Sequence, residues 1–221
     1  MINLHRKTLV LLHGHGMDDT IWDAVNASLS EYYTIIRPNI SLFTFCHTIE
    51  EYADELYRYL TNANIHKCVF IGHSMGGYIG LAFAEKYPDM LEGFGLFHST
   101  AFADDDTKKH QRDQSVNLLG QYGSAMYVKN TSGNLFGDRF KELYPNKVKD
   151  FIEKYSKLPA EGLATGMAAM RDRPDRTGIL ASMPYPVLFI IGMQDKLIPF
   201  ESCISLSQYP KQSYPFILAE A

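Results

Sequence analysis

Short apolar runs alternate with amphipathic stretches from the start of the chain to about Thr100. Thr8 to Leu12 is a continuous apolar run of strand length, feeding the glycine turn His13-Gly14-His15-Gly16. Thr20 to Leu29 places Ile21, Trp22, Val25 and Leu29 on one helical face. Tyr32 to Arg37 reads as a second strand, stopped by Pro38. In Thr48 to Leu60 the pair Thr48 and Glu51 forms a capping box, and Ile49, Tyr52, Ala53, Leu56 and Leu60 make an apolar stripe. Cys68 to Ile71 suits a buried strand, and Met75 to Lys86 carries small and apolar residues at helical spacing, closed by Tyr87-Pro88. Gly93 to Phe97 is the next strand, ending in His98-Ser99-Thr100. Strands alternating with helices predict right-handed crossovers and an α/β fold, a mostly parallel sheet with helices on both faces.

The alternation then stops. From Ala101 to Leu180 there is no strand pattern, only helical pieces such as Lys147 to Tyr155 and Gly162 to Arg171. A stretch of that length is too long for a plain loop and predicts a helical insertion. The acidic run Asp104-Asp105-Asp106 reads as a helix N-terminus enriched in acids rather than a metal site. Val187 to Ile191 resumes the sheet, Pro199 to Gln208 is the next helix, and Phe216 to Leu218 begins a last strand. The expected organisation is core sheet over 1–100, helical insertion over 101–180, and core sheet again over 181–221.

Between the strand at Cys68 and the helix at Met75 lies Gly72-His73-Ser74-Met75-Gly76, a Gly-x-Ser-x-Gly in the strand-turn-helix setting that this pattern requires. A serine on so sharp a bend has its hydroxyl pushed out above the sheet edge. Gly72 and Gly76 let strand and helix approach closely. The N–H of Met75 opens a helix, where unpaired N–H groups and the helix dipole favour a developing oxyanion. Ser74 is therefore a candidate nucleophile.

Composition narrows the function classes. The chain has 221 residues, 46% hydrophobic, and a formal net charge of -4 with its basic residues scattered. That suits one sizeable domain and offers no basic patch for nucleic acid or an anionic membrane surface. The three cysteines, Cys46, Cys68 and Cys203, lack metal-type spacing and fit a reducing cytoplasm. The opening Met-Ile-Asn-Leu-His-Arg-Lys has no signal-peptide apolar region, and no run is long enough to span a bilayer. A cytoplasmic protein is expected.

A strand ending in His-Gly-x-Gly, the Gly-x-Ser-x-Gly turn, and a late strand ending in Gly192-Met-Gln-Asp-Lys-Leu-Ile-Pro199 follow one another in this chain. In that order and spacing they resemble the α/β-hydrolase superfamily. The resemblance covers nearly the whole chain and puts the 101–180 stretch at the place of that family's helical lid. It implies Ser74 as nucleophile and Asp195 as the acid that orients the catalytic histidine. It implies an oxyanion hole from the backbone N–H groups of His15 and Met75. Met167-Ala-Ala-Met-Arg-Asp-Arg-Pro-Asp175 resembles the end of the lid in esterase and enol-lactonase-like members. The activity implied is hydrolysis of a small carboxylic ester, lactone or thioester through an acyl-serine, with no cofactor and no metal; the expected partner is a small-molecule ester-like substrate, with no nucleic acid and no membrane, and the oligomeric state is left open. A lyase or C–C bond hydrolase on the same fold is the first alternative. A non-catalytic binding protein is the second.

The chain departs from the family pattern in one respect above the others: no histidine follows Asp195. The family's catalytic histidine comes just beyond the last strand, so the expectation is a chain cut before it and impaired in activity. Of the histidines present, His98 ends a strand that should neighbour that of Ser74, which makes it a candidate substrate-binding residue. It would serve as substitute base only if Asp195 also reached it. His13 and His15 should shape the oxyanion loop, and His73 should pack structurally. His5, His47, His66 and His110 have no motif around them and read as surface or packing residues.

Overall fold

The computed structural model describes residues 6–221. The expectations placed on Met1 to His5, including that for His5, lie outside the described residues. Six strands form the sheet: β1 Thr8–Leu12, β2 Thr34–Ile36, β3 Cys68–His73, β4 Leu91–Phe97, β5 Val187–Gly192 and β6 Ser213–Leu218. Their order is β2-β1-β3-β4-β5-β6, and every neighbouring pair is parallel. Between them run α1 Asp23–Ser30, α2 Ile49–Asn62, α3 Met75–Lys86 and, after β5, α9 Phe200–Leu206. Between β4 and β5 the chain is helical: α4 Asp106–Thr131, α5 Asp138–Leu143, α6 Pro145–Tyr155, α7 Ala160–Asp172 and α8 Thr177–Ser182. Gly123, at φ 73°, breaks α4 into two helical pieces.

The pleat sorts the core into two layers. Val10, Leu12, Cys68 and Phe70 pack with the stripe of α2 and with α3. Leu9 and Leu11 point the other way, onto Trp22, Leu29, Val69 and Ile71. Helix α3 is buried on nearly every side from Met75 to Ala84, because it lies between the sheet, α2 and the insertion. Helix α2 matches its predicted stripe residue for residue: Ile49, Tyr52, Ala53, Leu56 and Leu60 are the buried positions. Its cap is a modified box. Thr48 accepts from the Glu51 N–H at 3.1 Å, while the Glu51 carboxylate reaches the N–H of His47 rather than that of Thr48. Helix α1 is weaker than its periodicity suggested, for it has no fully buried residue and Val25 is 43% exposed.

The acidic run is corrected in one position. Asp105 caps α4 by accepting from the Lys108 N–H, and Asp106 lies in the first turn. Asp104 instead is buried between two guanidiniums, those of Arg112 and Arg173. Arg173 also donates to the carbonyls of Met170 and Phe102 and lies 3.9 Å over the ring of Tyr78 on α3. This ion-pair cluster ties both ends of the insertion to the helix that follows Ser74.

Candidate active site

The chain leaves β1 toward β2 on one side and returns to β3 on the other, so the loops after β1 and β3 diverge at the C-terminal edge of the sheet. Such a switch point is where open α/β sheets bind ligands. The register then decides which side chains meet. His73 pairs with Phe97, and Phe97 with Ile190, so Ser74, His98 and the turn after β5 emerge side by side.

Ser74 has φ 51° and ψ -118°, a conformation that costs a residue with a Cβ of order 1–3 kcal/mol. The surroundings hold it there. Its N–H donates to the Phe97 carbonyl at 3.0 Å, and its own carbonyl accepts from Ser99 Oγ at 2.8 Å. Any Cβ at Gly76 would lie 2.6 Å from the Leu12 carbonyl oxygen, and one at Gly72 would run into the Gly76 carbonyl. Only glycine permits that crossing of strand, helix and neighbouring strand. Met75 is the first residue of α3, so its N–H is among the four without an intrahelical acceptor.

Across the cleft, the loop after β1 is locked by two histidines. His13 is almost fully buried; its Nε2 accepts the Ile40 N–H at 2.9 Å, which leaves the proton on Nδ1 to donate to the Gly14 carbonyl at 2.8 Å. The 3.2 Å approach of Nε2 to Asn39 Oδ1 then sets two acceptors side by side, so Asn39 acts instead on Ser41, whose N–H and Oγ both donate to it. Burial lowers the pKa of His13. His15 turns its ring toward the insertion, where Nε2–H donates to the Leu163 carbonyl of α7 at 2.8 Å, and the ring stands edge-on to Tyr127 of α4. Burial depresses its pKa to about 4, so it is neutral at pH 7. The backbone N–H of His15 makes no hydrogen bond among the described residues and is free to face a ligand.

Asp195 follows β5. Its Oδ1 accepts the N–H groups of Leu197 and Ile198 at 2.8 and 2.9 Å, and its Oδ2 lies 2.9 Å from His98 Nδ1. Burial alone would raise its pKa; the hydrogen bonds from His98, Ile198 and Leu197 outweigh burial and lower it. His98 reaches Asp195 from an αL position, φ 46°. No hydrogen bond joins His98 to Ser74 Oγ. His73 is packed edge-on to Phe97 and over Gly14, its Nδ1 has no partner, and burial takes its pKa to about 3. His47, His66 and His110 lie exposed on the surface. Among the described residues no cluster of His, Cys, Asp or Glu is placed to hold a metal ion.

Residues 7–221 match the model of the alpha/beta hydrolase fold family. The chain belongs to that family. Among solved family structures it is similar to a thermophilic esterase from Thermogutta terrifontis, 26% identical, covering 97% of this chain and 82% of that one, with a TM-score of 0.90. It also superposes on the enol-lactonase of Burkholderia xenovorans LB400 with a TM-score of 0.87, at 19% identity over 100% of this chain and 86% of that one. A provisional carbamate hydrolase, RutD, of Yersinia enterocolitica is 29% identical, over 91% of this chain and 75% of its own length. Relatives described as hydrolases and esterases are compatible with a half-buried serine at a strained strand-to-helix turn.

Two features of the site were not legible in the sequence. The grip of α7 on His15 joins residues 148 positions apart, and the contact of His98 with Asp195 spans 97. Neither leaves a local pattern in the chain. Only the strand order, read together with the motif, points to the second.

Proposed function

We propose that this chain is a serine hydrolase that cleaves a small carboxylic ester, lactone or thioester through an acyl-serine intermediate. The observation that carries the reading is the strained Ser74 at the β3–α3 turn, with the free N–H of His15 and the first N–H of α3 beside it. Ser74 Oγ attacks the carbonyl carbon, and the two N–H groups bind the oxyanion that forms. The alcohol or thiol leaves with a proton, and water then attacks the acyl-serine, releasing the acid and restoring Ser74. Asp195 has the role of orienting an imidazole for these proton transfers, and the imidazole it meets among the described residues is that of His98. The helices between β4 and β5 act as a lid, clamped to the oxyanion loop through His15. His98 is the substrate-side neighbour of Ser74 at the end of β4 and holds Asp195 through Oδ2.

A ligand-binding protein on the same fold is the competing reading, favoured by one observation: Ser74 Oγ has no hydrogen bond to an imidazole among the described residues. In a comparable triad, loss of the base leaves about 10³ to 10⁴-fold over water from the oxyanion hole and binding. Turnover of p-nitrophenyl acetate by the 221-residue chain is therefore expected to be weak, abolished in Ser74→Ala, and accompanied by no cleavage of a β-diketone. Equal turnover by the Ser74→Ala protein would exclude the hydrolase reading. Cleavage of the diketone in preference to the ester would favour C–C bond hydrolysis.

A further inference from the structure

A cleft opens beside the two oxyanion donors, His15 and Met75, and is lined also by Ile40, Leu158, Leu163 and Tyr52. Its lining has no Lys, Arg, Asp or Glu, and its two histidines are both kept neutral by burial. A charged group in it would meet no countercharge, so the occupant is neutral.

The polar side chains of the lining are nearly all committed. Both nitrogens of His13 are in contact with backbone groups, His15 Nε2–H is spent on Leu163, and Ser41 Oγ donates to Asn39. Thr44 is exposed at the mouth. Tyr52 differs from all of these. It is 5% exposed, its ring stacks on Phe43, and its hydroxyl makes no hydrogen bond among the described residues. Burial raises its pKa to about 12, so the proton stays on the oxygen. A buried phenol normally finds a partner. Here no protein group meets it, and the oxygen is not sealed from solvent: the ring lies in the wall of the cleft with its hydroxyl open to whatever fills it.

Resting on the hydrolase reading of Ser74, we propose that Tyr52 is a specificity residue: its O–H donates to an oxygen on the acyl part of the substrate. The cleft then takes small neutral acyl groups that carry an ether, hydroxyl or keto oxygen, in preference to plain alkyl acyl groups of the same length. The carbonyl sits at His15 and Met75, the chain of the acyl group lies along Ile40 and Leu163, and its oxygen ends at Tyr52.

The test uses binding to the Ser74→Ala protein, so that no acyl chemistry is involved. Three pairs of amides move the oxygen one bond at a time: methoxyacetamide against butanamide, 3-methoxypropanamide against pentanamide, and 4-methoxybutanamide against hexanamide. Kd is read by NMR titration. In at least one pair the ether should bind about fivefold more tightly than its alkyl partner, the range of one net hydrogen bond. Adding Tyr52→Phe, which keeps the ring on Phe43, should erase that ratio while leaving the alkyl amide within about twofold. Because the ratio is internal to each protein, a general weakening by the substitution does not affect it. The proposal is overturned if no pair favours the ether, if no amide binds, or if the ratio survives Tyr52→Phe. Any of these would leave the nucleophile assignment of Ser74 untouched, and failure of Ser74 to react would leave the ratio test standing.

Discussion

The imidazole of His15 joins two parts that lie far apart in the chain: the loop after β1, whose His15 N–H is the proposed oxyanion donor, and the carbonyl of Leu163 on α7. The fit is tight enough to be read from a single glycine. A Cβ at Gly166 would lie 2.8 Å from His15 Cδ2. Gly166→Ala should therefore push the ring away, lengthen the bond to Leu163 and turn the N–H off its target. We expect a fall of about tenfold in kcat, some 1.4 kcal/mol in the barrier. That is less than the 10² to 10³ typical of losing a whole oxyanion donor. Steady-state kinetics on one ester decides it: an unchanged kcat with a raised KM would show that α7 shapes only ground-state binding. The glycines of the elbow were legible because their role is local, set by strand, turn and helix in consecutive residues. The role of Gly166 depends on a loop about 150 residues away and was not legible.

At the scale of elements, the helices between β4 and β5 are held to the core by charge as well as by apolar packing. Asp104 sits buried between Arg112 and Arg173, and Arg173 covers the ring of Tyr78 on α3. Burial alone would raise the pKa of Asp104, but the hydrogen bond it accepts from Arg112 and its ion pair with Arg173 lower it. Removing one partner of a buried pair leaves an uncompensated charge, which typically costs about 3–5 kcal/mol. Asp104→Ala should thus lower the free energy of unfolding by an amount near that range, while Asp106→Ala, at the exposed first turn of α4, should cost no more than about 1 kcal/mol. Equal small effects in a urea melt would show that the cluster carries no stability. The sequence presented these three acids as equivalents. Burial distinguishes them, and burial depends on where the end of α7 returns to the chain after Phe102.

For the molecule as a whole, the sheet was legible except in its last strand, which begins at Ser213 and contains Pro215 instead of beginning at Phe216; the others are apolar runs ended by glycine, proline or a polar turn. Parallel pairing follows from the crossovers and the two-layer core from the pleat, whereas the order β2-β1-β3-β4-β5-β6 had no signature in the chain. What the chain did not show is how much of its polar chemistry is buried, and this sets its response to pH. His15 and His73 have pKa values depressed to about 4 and about 3 from 6.5, mainly by desolvation. Between those values and 6.5 the unfolded chain binds more protons than the folded one. Their contribution to stability is whole above pH 6.5 and is lost as pH falls, at up to roughly 1.4 kcal/mol per pH unit for each ring. Melting temperature should fall from pH 7 to pH 5, and His73→Asn should flatten that slope. A profile unaffected by the substitution would mean that the ring is not desolvated in solution.

The account turns on whether Ser74 is a nucleophile, and reaction with a fluorophosphonate measures that most directly. Ser74 Oγ would attack phosphorus, fluoride would leave, and intact-mass analysis with peptide mapping would locate the adduct. The account predicts one adduct per chain, slow to form, located on Ser74 and absent from the Ser74→Ala protein. An adduct that forms equally in Ser74→Ala, or no adduct after prolonged exposure of the folded protein, would contradict it.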